Sequence, residues 1–101
     1  MALQKVTRVS EIPAGSIKTV QVGDRLLAVA IVAGAVYAID NTCLHRGGPL
    51  GEGQLEGTVV TCPWHGWQFD LATGKAVQNP NAGVACFKAE LRGDEIYVEL
   101  P

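Results

Sequence analysis

The chain has 101 residues, of which 48% are hydrophobic and 18% charged, so its composition suits one globular domain and excludes a disordered segment. Its net charge of −2 and its scattered basic residues argue against a nucleic-acid-binding surface, which needs a clustered basic face. The N-terminal residues contain no apolar core of signal-peptide length. The longest apolar run, residues 26–39, is shorter than the about 20 residues that a membrane-spanning helix needs. We therefore expect a cytoplasmic protein.

Short β-strands are predicted at both ends of the chain. Runs rich in Val, Ile, Thr and aromatic residues, separated by Gly-containing turns, indicate six of them: residues 3–9, 16–22, 25–32, 35–40, 84–92 and 95–100. The apolar run 26–39 is interpreted as a buried β-hairpin within the first block. No stretch shows a convincing helical period. The sequence therefore predicts an all-β fold and a single domain over residues 1–101.

The central segment, residues 41–83, differs from both ends in composition. It holds eight of the twelve glycines, three of the five prolines, both histidines, both tryptophans and two of the three cysteines. One strand, residues 57–61, is predicted within it. We expect a loop-rich subdomain inserted into a β framework, because loops that a rigid scaffold positions commonly carry the chemistry.

Two short motifs in this segment bring Cys and His close together in sequence. Residues 43–45 (CLH) have the pattern C-x-H, and sixteen residues later residues 62–65 (CPWH) have the pattern C-x-x-H. If the strand between them brings the two loops face to face, two thiolates and two imidazoles converge on one site. The third cysteine, Cys86, lies in an apolar run and is expected to be a buried free thiol. An odd cysteine count without an export signal fits a metal site better than a disulfide framework.

Such a ligand set fits either zinc or an iron–sulfur cluster. Zinc sites of the Cys2His2 type pair Cys with Cys and His with His along the chain, whereas each motif here contributes one of each. This mixing favours two metals, as in a Rieske [2Fe–2S] centre, where two His replace two Cys on one iron. A zinc-stapled binding module without a redox role remains the alternative.

A stretch of forty residues closely resembles the cluster-binding segment of Rieske proteins: NTCLHRGGPLGEGQLEGTVVTCPWHGWQFDLATGKAVQNP. The flanking strand pattern and the length are similar to those of the Rieske-type ferredoxins of bacterial ring-hydroxylating dioxygenase systems. The resemblance implies three antiparallel sheets with the ligand loops at one tip. It implies that Cys43 and Cys62 bind an inner ferric iron, and that His45 and His65 bind the outer iron, which takes the electron. It also places Pro80 in a loop that covers the cluster.

The chain departs from the Rieske proteins of respiratory cytochrome bc complexes at four positions. Those relatives carry a further cysteine in each ligand loop, joined as a disulfide, where this chain has Gly48 and Trp64. They also place a Ser and a Tyr hydroxyl near the cluster sulfurs, where this chain has Trp67 and Phe69. Hydrogen bonds to sulfur stabilise the reduced cluster, so their loss lowers the reduction potential. We expect a potential near the lower end of the range from about −150 to +300 mV.

The function expected from these features is electron transfer rather than catalysis. Both histidines are assigned to metal, which leaves no Ser-His-Asp set, and the chain lacks the second His/His/carboxylate iron site that an oxygenase subunit needs. The resemblance implies a one-electron carrier between a flavin-dependent reductase and a terminal ring-hydroxylating oxygenase. Arg46, next to a ligand histidine, is a candidate for docking an acidic partner, and Trp67 is a candidate shield against water. A Rieske-like small subunit of assimilatory nitrite reductase is the alternative within the redox class.

Overall fold

A computed structural model describes residues 2–12, 15–42, 48–64, 66–79 and 81–100. In these ranges the regular structure consists of ten β-strands and two short 3-10 turns: β1 (Ala2–Arg8), a turn at Val9–Glu11, β2 (Ile17–Val22), β3 (Arg25–Val32), β4 (Ala35–Asp40), a turn at Leu50–Glu52, β5 (Gln54–Glu56), β6 (Val59–Thr61), β7 (Gln68–Asp70), β8 (Cys86–Phe87), β9 (Ala89–Arg92) and β10 (Glu95–Leu100). The all-β prediction is confirmed. No helix in the described ranges is long and apolar enough to cross a membrane.

The strands form three antiparallel sheets, as the resemblance implies. The terminal sheet has the order β1-β10-β9, the middle sheet β2-β3-β4-β8, and the third sheet β5-β6-β7. The third sheet lies wholly within the Gly-rich segment 41–83. This segment therefore contributes a small β-meander whose β6–β7 connection carries the second ligand motif.

The β3–β4 hairpin is the buried hairpin that the apolar run predicts. Successive side chains of a strand point to opposite faces, so the hairpin contributes to two apolar clusters at once. Ala28 and Ala30 pack with the third sheet, whereas Leu27 and Val29 pack with the terminal sheet. Because both faces are covered, the hairpin sequence is continuously apolar instead of alternating.

One predicted strand, residues 84–92, is wrong as a single element. The structure divides it into β8, which pairs with β4 in the middle sheet, and β9, which pairs with β10 in the terminal sheet. Between them the Lys88 carbonyl accepts a hydrogen bond from the Glu99 backbone N–H at 2.8 Å. The chain changes sheets at this point, and local composition carries no sign of that change.

Buried Asn41 connects the first ligand motif to the β framework. Only 4% of its surface is exposed, and its side-chain oxygen accepts hydrogen bonds from the Gly51 N–H at 2.7 Å and from the Thr19 hydroxyl at 3.0 Å. Its carbonyl accepts the Leu50 N–H at 2.7 Å, and its own N–H donates to the Leu26 carbonyl at 3.1 Å. Asn41 therefore holds the 3-10 turn that follows the first motif against β2 and β3.

Replacing Asn41 with alanine should lower the free energy of unfolding by about 2 kcal/mol, because the buried Gly51 N–H would lose its acceptor. Urea denaturation followed by circular dichroism measures this. Asn81→Ala, which removes the same side chain from an exposed position, should change the free energy by less than about 0.5 kcal/mol. Equal stability of the two variants would contradict the anchoring role of Asn41.

Candidate metal centre

The four predicted ligands belong to two motifs, and the structure describes one of the four ligands, Cys62. Cys62 follows β6 and is 2% exposed. Cys43, His45 and His65 lie outside the described residues, as do the predicted docking residue Arg46 and the predicted covering residue Pro80. The described part of the chain holds no group of three or more Cys, His, Asp or Glu side chains that could bind a metal.

The first ligand loop is closed at its base by strand-like pairing. Thr42 pairs with Pro49 in an isolated antiparallel bridge, and the Thr42 N–H donates to the Asp40 carboxylate at 3.0 Å. Thr42 and Pro49, which lie on either side of residues 43–48, are thus held next to each other by β pairing.

The second ligand loop, residues 62–67, connects β6 to β7 as the end of a hairpin. The Cys62 N–H donates to the Trp67 carbonyl at 2.7 Å, and the Gly66 N–H donates to the Cys62 carbonyl at 3.1 Å. Gly66 has φ of 76°, a conformation that glycine adopts without steric cost. Both backbone polar groups of Cys62 are therefore bonded within the loop, and its thiol is buried at the end of the strand.

Gly48 lies where the two loops meet. A Cβ placed on it would lie 2.7 Å from Cys62 Sγ and 3.1 Å from Cγ and Cδ2 of the Trp64 indole. Position 48 therefore has no room for a side chain beside this thiol. Positions 48 and 64, which correspond to the disulfide cysteines of the bc-complex relatives, are close neighbours here. The described parts of the two loops are therefore in contact, and convergence of the four predicted ligands stays a prediction.

Trp67 and Phe69 pack in or against the apolar cluster that contains Cys62. Phe69 is fully buried in the same cluster as Cys62, and Trp67 is half-buried against that cluster. Their ring centroids are 6.4 Å apart with an interplanar angle of 32°. Neither side chain carries a hydroxyl, as noted from the sequence. Shielding of a cluster by Trp67 stays a prediction.

The segment after β7 folds back onto the second loop. The Ala76 N–H donates to the Ala82 carbonyl, and the Ala82 N–H donates to the Asn79 carbonyl, both at 2.9 Å. These bonds close the segment that contains the predicted covering residue. At its start, the Val77 N–H donates to the Gln68 carbonyl at 2.8 Å.

The Gln78 side chain connects this segment to the second loop by two hydrogen bonds. Its Oε1 accepts the Gln68 N–H at 3.0 Å, and its Nε2 donates to the Gly66 carbonyl at 3.4 Å. Sequence reasoning missed both Gln78 and Asn41, because their partners lie ten or more residues away along the chain. Only their positions in the sequence could have indicated these roles. Asn41 lies just before the first motif, and Gln78 lies two residues before Pro80.

Cys86 differs from its predicted environment. It was expected to be buried, but it is a free, exposed thiol. It lies on β8, an edge strand of the middle sheet, where the adjacent Phe87 faces the core and Cys86 faces the other way. Its sulfur donates to the Leu71 carbonyl at 3.5 Å. Partial burial, and secondarily the negative charge of Asp70, raise the pKa of this thiol, so it stays protonated and weakly reactive near neutral pH.

Replacing Gln78 with alanine should accelerate loss of the [2Fe–2S] cluster expected from the sequence. Removal of two hydrogen bonds would weaken the hold on the second loop by about 1 kcal/mol, which corresponds to roughly a fivefold faster loss. Bleaching of the visible absorbance at elevated temperature measures the rate.

Gln21→Ala is the matched control, since Gln21 also donates to a backbone carbonyl, that of Gly23, but in the β2–β3 turn. Its bleaching rate should equal that of the unmodified protein. A Gln78→Ala variant that bleaches no faster than this control would contradict the proposed role of Gln78 in stabilising the second loop.

Comparison with known proteins agrees with the geometry. The family model of the Rieske [2Fe-2S] domain matches residues 2–88. The chain is 38% identical over 96 residues to ferredoxin CarAc of Metapseudomonas resinovorans, covering 93% of this chain and 90% of that protein. It is 40% identical over 92 residues to the ferredoxin component of the naphthalene 1,2-dioxygenase system of Pseudomonas putida, covering 90% and 88%.

The solved structures lead to the same family. The chain matches the complex of reduced oxygenase and oxidized ferredoxin in carbazole 1,9a-dioxygenase with a TM-score of 0.83 and 37% identity, covering 95% of this chain and 91% of the matched one. A structure described as a nitrite reductase NADPH small subunit matches with a TM-score of 0.84 and 13% identity, which shows a shared fold alone. By the family match and by its curated relatives, this chain belongs to the Rieske [2Fe-2S] domain family.

Proposed function

We propose that this protein is a one-electron carrier that accepts electrons from a flavin-dependent reductase and passes them to a terminal ring-hydroxylating oxygenase. The supporting observation is the match to ferredoxin components of dioxygenase systems, which covers about nine-tenths of this chain and of those relatives. Such components transfer electrons and leave catalysis to another protein. We further propose that residues 1–101 form one Rieske domain, with residues 41–83 as its cluster-binding subdomain, and that it acts in the cytoplasm.

The described residues fit a [2Fe–2S] cluster. Cys62 offers a buried thiol at the end of β6, and only glycine fits at position 48, where a Cβ would lie 2.7 Å from its sulfur. We propose Cys43 and Cys62 as ligands of the inner iron, with His45 and His65 as ligands of the outer iron. When bound, such a cluster supplies a centre that gains and loses one electron.

The contribution of the chain is to hold the two loops in one arrangement. Asn41 secures the turn after the first loop, and Gln78 secures the second loop against the covering segment. Ligands placed by bonded loops on rigid strands need little rearrangement when the charge of the site changes. This arrangement suits a carrier that must be reduced and oxidised repeatedly.

The residues around the loops support a low reduction potential. Trp67 and Phe69 offer no hydroxyl group to the cluster sulfurs, and Phe69 is fully buried in the core. Hydrogen bonds from hydroxyl groups to sulfur favour the reduced cluster, so the lack of these two hydroxyls favours the oxidised one. For a one-electron couple, a difference of about 59 mV in reduction potential changes the electron-transfer equilibrium constant tenfold. A low-potential carrier fits a donor to an oxygenase better than an acceptor from quinol.

The two alternatives have weaker support. The nitrite reductase small subunit shares the fold at 13% identity, whereas ferredoxin components of dioxygenase systems share 38% and 40%. A zinc-stapled module does not fit a chain of the Rieske [2Fe-2S] family. Colour distinguishes it simply, since a zinc protein is colourless.

Replacing His45 or His65 with alanine should abolish the visible and electron paramagnetic resonance spectra of the native cluster, because one iron would lose an imidazole ligand. Cys86→Ser serves as the control, since this exposed thiol lies on β8 and is not among the proposed ligands. It should keep the native spectra. An unchanged spectrum in either histidine variant, or a lost spectrum in Cys86→Ser, would contradict the ligand assignment.

A further inference from the structure

Glu52 is an exposed acidic residue at the end of the 3-10 turn that follows the first ligand loop. Its N–H donates to the Pro49 carbonyl at 3.1 Å, and the Gly53 N–H donates to the Leu50 carbonyl at 3.0 Å. Leu50 is fully buried in the apolar cluster that also contains Cys62. The backbone that carries the Glu52 side chain is therefore anchored in the core, although the side chain itself is in solvent.

This turn lies directly against the end of β6. A Cβ placed on Gly53 would collide with the Thr61 carbonyl, so the backbone of residue 53 touches the residue that precedes Cys62. Earlier in the same segment, a Cβ on Gly48 would lie 2.7 Å from Cys62 Sγ. The backbone thus approaches the proposed ligand at positions on both sides of Glu52 in the sequence.

Glu52 and Cys62 also line the same recess. Its volume is about 400 Å³, and its described lining consists of Glu52, Gly53, Gln54, Thr61, Cys62, Pro63 and Gly66. Within that lining Glu52 is the one charged side chain. The two ion pairs found among the described residues both lie in the terminal sheet. The recess therefore carries a negative charge that no described cation balances.

A charge at this place acts on the energy of a reduced cluster. Reduction adds one electron to a [2Fe–2S] cluster, and a carboxylate nearby repels the negative charge that the electron brings. Salt screens such repulsion over a Debye length of about 10 Å at 0.1 M ionic strength. Gly53 contacts Thr61, and Glu52 and Cys62 are their neighbours in sequence, so the two residues are separated by about one Debye length or less.

We infer that the charge of Glu52 lowers the reduction potential of the cluster. The inference rests on the proposed function, in which the cluster gains one electron from the reductase and gives that electron to the oxygenase. Glu52 neither gains nor loses an electron in this transfer, and its charge shifts the equilibrium toward the oxidised cluster. It acts in the same direction as the lack of hydroxyl groups at positions 67 and 69, but through charge rather than through hydrogen bonding.

Redox titration of the cluster-loaded protein, followed by its visible spectrum, measures this effect. At 0.1 M ionic strength, Glu52→Gln should shift the equilibrium with a fixed redox mediator about threefold toward the reduced cluster, which corresponds to about 28 mV. Glu52→Lys changes the charge by two units and should shift the equilibrium about tenfold, or about 59 mV. Glu52→Asp keeps the charge and should leave the potential nearly unchanged.

Glu56→Gln is the matched control, because it removes an equal charge from an exposed position in the same sheet. Glu56 pairs with Val59, whereas Gln54, at the other end of β5, pairs with Thr61. At a rise of about 3.4 Å per residue, Glu56 lies about 7 Å farther along the sheet from Cys62 than Gln54 does. Its variant should shift the equilibrium less than half as much as Glu52→Gln. The visible spectrum verifies that every variant retains its cluster.

Three results would overturn the inference. Equal potentials of Glu52→Gln and Glu56→Gln would show that the position of Glu52 has no special effect. An equal shift in Glu52→Asp and Glu52→Gln would assign the effect to side-chain shape instead of charge. A shift that is undiminished at 1 M ionic strength, where the Debye length is about 3 Å, would exclude an electrostatic cause.

The same titration distinguishes failure of this inference from failure of the proposed function. A potential well above zero for the unmodified protein would contradict the low-potential donor to an oxygenase. The difference between Glu52→Gln and the unmodified protein decides on Glu52 whatever the absolute potential is.

Discussion

The burial of the β3–β4 hairpin on both faces is the constraint on which the rest of the structure depends. Alternate side chains of β3 enter two different apolar clusters, one shared with the terminal sheet and one shared with the third sheet. The cluster on the side of the third sheet also contains Cys62 and Phe69. The hairpin thereby packs in the same core as the end of β6, where the described ligand lies.

The two ligand loops contact each other by packing at Gly48, and hydrogen bonds connect each loop to the structure beside it. Asn41 anchors one loop, Gln78 anchors the other, and Trp64 rests on Gly48 where they meet. The resemblance to the Rieske proteins of bc complexes implies a disulfide at the corresponding pair of positions there, and a disulfide typically contributes about 2–4 kcal/mol. A few hydrogen bonds at about 1 kcal/mol each reach a similar sum.

The absence of a side chain at position 48 has two consequences. It allows the backbone of residue 48 to lie close to the Cys62 sulfur, and it allows the Trp64 indole to lie against the same backbone. A single glycine thus determines how closely the described parts of the two ligand loops approach each other.

The sequence allowed the prediction of features that depend on short-range pattern. The bounds of β3, β4 and β10 were predicted as observed, and the two motifs were recognised from their spacing. Strands β5 and β7 were missed because each has three residues and contains polar side chains.

Features that depend on distant partners were not predictable in this way. The passage of the chain from β8 to β9 is set by pairing with β4 and β10, not by its own residues. The exposure of Cys86 follows from the edge position of β8, and the roles of Asn41 and Gln78 follow from partners elsewhere in the chain. Prediction of each of these features requires knowledge of how the three sheets are arranged in space.

A redox titration followed by electron paramagnetic resonance tests the central claim most directly, because it reports both the type of cluster and its potential. The account predicts a rhombic signal that appears only at negative potential, near the lower end of the range of about −150 to +300 mV for Rieske centres. A signal already present well above zero would contradict the argument from Trp67 and Phe69, and with it the assignment of an oxygenase as the electron acceptor.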